Sequence, residues 1–216
     1  MNDPLEKFNW GTLHKRYDDL CGRFNDNEYL GFFKVKPDSD RKLYYSLIEG
    51  FFDKRESSNA ITLDLYKAML YWKLYSQPAA VANILGKINN HKDIENRLIV
   101  LSKKLPLKIE RNIDEIVKLV QINEISIFGM GSPDSFPGRT TFLHFVYPDI
   151  IPVFDKMVLQ AVGVEDENAN HSIQFLKNYI PFAWKLADKY KNKFDEKWQE
   201  TPVRLIDMAL WVNRGN

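Results

Sequence analysis

The chain has 216 residues, and its 44% hydrophobic and 13% aromatic content excludes disorder for most of its length. Its 30 basic and 29 acidic residues give a net charge of +1, so global charge gives no support for nucleic-acid binding and leaves only a local patch open. The single cysteine, Cys21, excludes an internal disulfide framework. With no secretory signal and no membrane-length apolar run, we expect a cytoplasmic protein without membrane contact.

In the first half of the chain, apolar residues recur three or four positions apart, as amphipathic helices require. This spacing predicts a helix over 11–24 and another after a cap at Asp38 or Ser39. Thr62 is expected to cap a third helix over 63–76. This helix is apolar almost all round, which predicts that it lies at the centre of the fold. Further helices are predicted over 79–88, 92–104 and 112–121.

A dense turn cluster follows over 125–136, with strand-like alternation only in its first part, 124–128. Helical spacing resumes over 140–147 and 155–162. It continues over 172–198, where Pro181 kinks the helix or starts a second segment, and ends with 202–212. The sequence therefore predicts an all-α fold of about ten short helices in one compact unit. Two lobes, 1–124 and 137–216, could be joined by the turn cluster.

The stretch 136–164 contains Phe-Pro-Gly-Arg-Thr-Thr and, further on, Pro-Val-Phe-Asp-Lys-Met-Val. Here the chain resembles the helix–hairpin–helix DNA glycosylase superfamily, in which a Pro-Gly hairpin precedes a helix and a Pro-Val-Asp segment. Over 136–211 it also resembles a loose group of small prokaryotic helical proteins with a Leu-His-Phe helix and a closing Asp-x-Ala-Leu-Trp helix. The resemblance implies a glycosylase-like unit in which Pro137-Gly138 begins the hairpin.

The resemblance also implies that Asp155 is the catalytic carboxylate, which would stabilise the cationic sugar formed as a base leaves or would activate water. Arg139 would contact the DNA backbone or the extruded nucleotide. Lys156 is a second basic residue that could contact the nucleic acid. The other interpretation of Asp155 is a simple cap of the helix that follows it, because a carboxylate there accepts free backbone N–H groups.

Other candidates also have two interpretations. The basic stretch 177–197, including Lys185 and Lys189, could contact phosphates, or it could be a solvated helix face. Tyr66, Trp72 and Tyr75 could line a base pocket or belong to the core. His144 could be a general base or line the pocket, or it could be a hydrogen-bonded, half-buried side chain within an apolar helix. The histidines show no paired spacing, so neither a metal nor a cofactor is expected.

Two functions remain open. In the first, the protein is a DNA base-excision N-glycosylase or a nucleic-acid-binding protein, and a damaged base of duplex DNA enters a cleft between two helical lobes. In the second, the same scaffold is a non-catalytic module that binds a small ligand or another protein. The Pro-x-x-Asp segment that ends at Asp155 and the lysine stretch 177–197 favour the first function. The missing second hairpin glycine after Gly138 and the small net charge favour the second.

Overall fold

A computed structural model describes residues 1–22, 24, 28–56, 61–132, 134–166 and 168–214, without the side chains of 53–56. Within these ranges the fold is all-α, as predicted, with α-helices and short 3₁₀ turns and no strand. The ten α-helices are α1 Leu13–Cys21, α2 Asp40–Glu56, α3 Leu63–Leu74, α4 Pro78–Ile84, α5 Ile94–Lys104, α6 Ile113–Gln121, α7 Phe136–Val146, α8 Lys156–Ala161, α9 Ile173–Tyr190 and α10 Pro202–Asn213.

Four of the α-helices, α3, α6, α8 and α10, start after a residue whose side chain caps the helix. The Thr62 hydroxyl accepts the amide N–H of Leu65 at the start of α3, as predicted. Asn112 caps α6 in the same way, by accepting the N–H groups of Asp114 and Glu115. Such caps satisfy backbone donors that have no partner inside the helix, and so they fix where each helix begins.

Helix α3 lies in the core, as its apolar surface predicted. It packs against α2, α4, α5 and α7, and most of its residues between Leu65 and Trp72 are buried. Helix α1 packs on α10, and the Asn213 side-chain amide donates to the carbonyl of Pro4. Because α1 contacts α10 and α2 contacts α7, the core is continuous across the possible division at 125–136.

One local prediction is wrong: helix α7 begins at Phe136, so Pro137 and Gly138 form its first turn and not a hairpin. The strand-like alternation at 124–128 does not form a strand; this segment contains a 3₁₀ turn, Asn123–Ile125, because its neighbours are helices and offer no strand for pairing. Of the two alternatives for Pro181, no second segment starts there, since helix α9 continues through it as one element. Pro133, within the turn cluster, lies outside the described residues.

Among the helices of the described ranges, none combines the length and apolar character needed to cross a bilayer.

Candidate functional site

The site begins with Asp155, which stands at the N-terminus of α8 after an extended segment. Its backbone is extended (φ −142°, ψ 176°), so its side chain folds back over the first turn of the helix. Oδ1 accepts the amide N–H groups of Met157 at 2.9 Å and Val158 at 3.2 Å. The predicted cap is therefore present, and it uses one of the two carboxylate oxygens.

The second oxygen of Asp155 binds a residue from a distant helix. Lys73, in the last turn of α3, donates from Nζ to Oδ2 at 2.8 Å, and the two side chains are 17% and 21% exposed. Burial alone would raise the pKa of Asp155, but the Lys73 charge and the two backbone N–H groups outweigh it and lower this pKa below the ordinary 3.8. Asp155 is therefore ionised at neutral pH.

This ion pair lines a cleft of about 890 Å³, which is within the range of small-molecule sites. Residues from the end of α3, from the start of α7 and α8 and from the turn segment 126–131 form its walls. Three methionines from three separate elements line the cleft, and Phe128 contributes an aromatic ring. The lining residues used below are Met69, Lys73, Phe128, Met130, Gly138, Asp155, Lys156 and Met157.

The charge of the cleft is small. Among the described residues that line it, Lys73, Lys156 and Asp155 are the ionisable ones, which gives a formal sum of +1. The rest of the surface is mainly apolar, with scattered hydroxyl and amide groups from residues such as Thr141 and Asn170. Such a cleft suits a flat, largely apolar ligand with a polar or anionic group.

Arg139 does not contact this cleft, and the expectation that it binds a DNA backbone is contradicted. Its side chain is fully buried, and its guanidinium donates to three backbone carbonyls and one hydroxyl. These partners are the carbonyls of Ser132, Val120 and Ile122 and the hydroxyl of Ser126. Arg139 therefore joins the end of α6 to the turn segment that forms the cleft wall.

Gly138 gives that wall a second anchor. A Cβ at this position would lie 2.7 Å from the carbonyl oxygen of Met130, closer than real Cβ atoms approach. The turn segment therefore presses on the first turn of α7 at the one residue type that permits the contact. In this structure Pro137-Gly138 serves close packing against the cleft wall.

His144 is also in the core, where the predicted half-buried position becomes complete burial. Its Nδ1 donates to the carbonyl of Ile151 at 2.7 Å, so Nε2 accepts the hydroxyl of Tyr44 at 3.0 Å. Burial, together with the nearby Arg204 charge, lowers the pKa of His144 to about 3. It is neutral and has no solvent access, so a base role and a place in a pocket are both contradicted.

Tyr66 and Trp72 are core residues, which contradicts their proposed place in a base pocket. Tyr66 is fully buried and donates its hydroxyl to the carbonyl of Phe128 at 2.7 Å. Trp72 is 7% exposed and packs edge-on against Phe145, with the Arg204 guanidinium 5.0 Å from its ring centre. Tyr66 still supports the cleft from behind, through the turn segment that it bonds.

The basic stretch of α9 lies apart from the cleft, since none of its described residues belongs to the lining. Lys189 bonds to Asp3, and Lys177 bonds to Asp114, while Lys185 is exposed on the same helix. This arrangement fits the solvated face that was the alternative interpretation. Of the four basic residues expected to contact nucleic acid, Lys156 alone lines the cleft.

Sequence reasoning missed Lys73 and the three methionines. One signal was present: Lys73 is a charge near the end of a helix that is otherwise apolar almost all round, and such charges usually have a partner. The described part of the chain contains no cluster of three or more His, Cys, Asp or Glu side chains arranged to hold a metal ion. No family model, no curated protein and no solved structure matches this chain.

Proposed function

We propose that the cleft binds a nucleobase-bearing substrate and that the protein is an N-glycosidase-type hydrolase with Asp155 as its catalytic carboxylate. The observation that carries the proposal is the ionised Asp155 carboxylate on the wall of a cleft of about 890 Å³, beside Lys73. The proposed substrate is duplex DNA with a damaged or mismatched base turned out of the stack. A glycosylase-like fold is part of the same proposal.

The chemistry follows from charge. The bond between the base nitrogen and the sugar carbon breaks, its electron pair leaves with the base, and positive charge develops on the sugar. The Asp155 carboxylate stabilises that charge at close range in a partly desolvated site. Water then bonds to the sugar carbon, and its proton balances the charge on the departing base. Lys73 keeps the carboxylate ionised by lowering the pKa of Asp155.

The walls of the cleft suit the base and the phosphate of the substrate. Thioethers contact aromatic ring faces and edges favourably, and Met69, Met130 and Met157 surround the apolar part beside Phe128. Lys156, at the start of α8, is the rim cation that a phosphate of the same nucleotide would contact. These features support a single nucleotide unit inside the cleft.

The test is release of free base, measured by chromatography, from a panel of lesion-bearing duplexes and single nucleosides. We expect release by the wild-type protein and a loss of at least about 100-fold in Asp155→Asn, since one electrostatic contact to a transition state is worth that much. Asparagine also caps helices well, so this variant should fold. Asp93→Asn, at the N-cap of α5 outside the cleft, is the matched control and should keep full activity.

A second candidate is binding without chemistry, and one observation favours it: both oxygens of Asp155 already have partners, with Lys73 on one and two backbone N–H groups on the other. On this view the ion pair is a structural clamp at the mouth of a ligand site. Wild-type protein that binds a nucleoside or lesion duplex by calorimetry, yet releases no base from any of them, would support this candidate and end the enzymatic one.

A further inference from the structure

The extended segment 151–154 delivers Asp155 to the cleft, and buried side chains from two helices hold its backbone. Residues in an extended segment between helices cannot satisfy their N–H and C=O groups with helical hydrogen bonds, so other partners are needed. Three hydrogen bonds supply them: His144 Nδ1 to the Ile151 carbonyl (2.7 Å), the Val153 N–H to Asp207 Oδ2 (3.0 Å), and the Phe154 N–H to Thr140 Oγ1 (3.1 Å).

Asp207 differs from the other two residues that hold the segment because it can carry a charge near neutral pH, whereas His144 is neutral there and Thr140 has no ionisable group. It lies on α10, it is 2% exposed, and its second oxygen, Oδ1, accepts the hydroxyl of Tyr179 at 3.1 Å. A buried carboxyl with two donors is costly to remove, since the Val153 N–H would be left without an acceptor. Asp207 bonds to the N–H of Val153, two residues before Asp155, and the negative charge of Asp155 helps to raise the pKa of Asp207.

We propose that Asp207 is a positioning residue for Asp155, and that its buried carboxyl fixes the segment 151–154 and is coupled through that segment to the carboxylate in the cleft. The catalytic consequence rests on the proposed function, whereas the coupling between the two carboxyl groups does not. Asp207 itself does not line the cleft.

Burial explains why Asp207 keeps its proton well above the ordinary pKa of an aspartate. Burial raises its pKa to about 7, against the lowering effect of Arg204, the Val153 N–H and the Tyr179 hydroxyl, and the negative charge of Asp155 adds to the rise. In the acid form Oδ1 can donate to Tyr179, and Oδ2 stays the acceptor for Val153. The ionisable groups that face this region from the packed elements are Tyr17 on α1, Asp40 and Tyr44 on α2, His144 on α7, Asp155 before α8, Tyr179 on α9 and Arg204 on α10 itself.

The first experiment follows the side-chain carboxyl carbon of Asp155 by ¹³C NMR between pH 2 and pH 9. In wild type we expect a main inflection below pH 3.8 and a second, smaller one near pH 7, where Asp207 ionises. Asp207→Asn should retain the main inflection and lose the second. Asp40→Asn is the matched control, because Asp40 is equally buried and also lies near Arg204, yet it bonds to Tyr17 and not to the segment 151–154.

The second experiment measures positioning through hydrogen exchange. The amides of Met157 and Val158 are protected by Asp155, so a displaced Asp155 exposes them. Asp207→Ala should accelerate their exchange by at least about 10-fold relative to other amides of α8, and Asp40→Ala should not. If Asp207→Ala does not fold, the titration of the Asn variant still decides the matter.

Two results would overturn the proposal: a single Asp155 inflection in wild type, or a second inflection that persists in Asp207→Asn. If hydrogen exchange at the Met157 and Val158 amides is accelerated equally in Asp207→Ala and Asp40→Ala, the positioning role of Asp207 is contradicted. Neither measurement uses activity. A wild-type protein that releases no base would therefore contradict the proposed enzymatic function, but the role of Asp207 would still be decided by the titration and the hydrogen exchange alone.

Discussion

Lys73 Nζ and Asp155 Oδ2 are 2.8 Å apart, although 82 positions separate the two residues along the chain. The contact joins the C-terminal turn of α3 to the N-terminus of α8. Each partner also interacts favourably with the dipole of its own helix, because a cation suits a helix C-terminus and an anion suits an N-terminus. The pair therefore closes one end of the cleft with charges that both helices already stabilise.

Replacing Lys73 with methionine tests that pair. We expect Lys73→Met to raise the pKa of Asp155, because burial would then oppose only the two backbone N–H groups. The free energy of unfolding should fall by about 1–3 kcal/mol, the range for a partly buried charge that loses its partner. Carboxyl ¹³C titration and urea denaturation measure the two effects. Lys177→Met, which breaks an exposed pair with Asp114, should cost clearly less, and an equal loss would contradict the expectation.

Replacing Gly138 with alanine tests the close approach between the cleft wall and α7. Gly→Ala inside a helix usually stabilises, but here the new Cβ would meet the Met130 carbonyl at 2.7 Å. We expect Gly138→Ala to lower the free energy of unfolding by about 1–3 kcal/mol, as overpacking does. Thermal denaturation measures this.

The matched control for that substitution is Gly86→Ala. Gly86 lies in a 3₁₀ turn, and a Cβ there would meet nothing within 4 Å. The control should be neutral or slightly stabilising. A Gly138→Ala protein as stable as wild type would show that the turn segment yields easily and does not fix the cleft wall.

Acid should destabilise the protein through Glu200. This carboxylate is buried and accepts bonds from Arg41 and Tyr45, with His14 Nε2 at 3.2 Å. Burial alone would raise its pKa, but His14, Tyr45 and Arg41 together lower this pKa to about 2, below the ordinary 4.5. Since the folded pKa is the lower one, its stabilisation is complete above pH 4.5 and is lost as the pH falls towards 2.

Urea midpoints between pH 7 and pH 3 measure that loss, which is at most about 1.4 kcal/mol per pH unit for one proton. Glu200→Gln should be less stable than wild type at pH 7, and the difference should shrink below pH 4.5. The exposed Glu115→Gln is the control and should follow wild type throughout. A constant difference between wild type and Glu200→Gln across the acid range would contradict the assignment.

Asp207 should have the opposite effect to Glu200 and destabilise the protein as the pH rises. Its folded pKa of about 7 lies above the ordinary 3.8, so the stabilisation it gives is complete below pH 3.8 and is lost as the pH rises towards 7. The side chain in Asp207→Asn cannot ionise. The free energy of unfolding of this variant, relative to that of wild type, should therefore increase between pH 4 and pH 7. The same urea series measures this, and parallel curves for the two proteins would refute it.

The Cys21 thiol should be unreactive in the folded protein. Burial, with the nearby Asp40 carboxylate, raises its pKa to about 11, so about one thiol in a thousand is ionised at pH 8. Alkylation by iodoacetamide at pH 8 should be at least about 100-fold slower in the folded protein than in urea. Mass spectrometry follows the reaction, and equal rates in the two states would show that the thiol is open to solvent.

The sequence predicted those parts of the fold that depend on local signals. Thr62 was expected to cap a helix, and a cap was one of the two interpretations of Asp155; each side chain accepts backbone N–H groups within the next three residues. Helix α3 was expected in the core because its apolar residues cover nearly all its faces, and it lies there. Caps and periodicity involve neighbours in the chain, so one sequence is enough to read them.

The contacts that build the cleft involve distant residues and could not be read in this way. A basic residue after Pro-Gly suggested a phosphate contact for Arg139, yet its partners are carbonyls at the end of α6 and in the turn segment. The ion pair between Lys73 and Asp155 could not be predicted, because nothing in the sequence indicates that α3 ends beside α8. Local pattern located Asp155 at a helix start, and only the packing of helices gave it a cleft and a counter-ion.

The packing of α1 on α10 has a consequence for synthesis of the protein. Leu13–Cys21 is synthesised almost two hundred residues before Pro202–Asn213, the helix against which it packs. Until α10 is made, Leu13 and Tyr17 lack part of their cover, and a helix with an exposed apolar face is prone to association with other chains. We therefore expect the nascent chain to depend on chaperones until α10 has been translated.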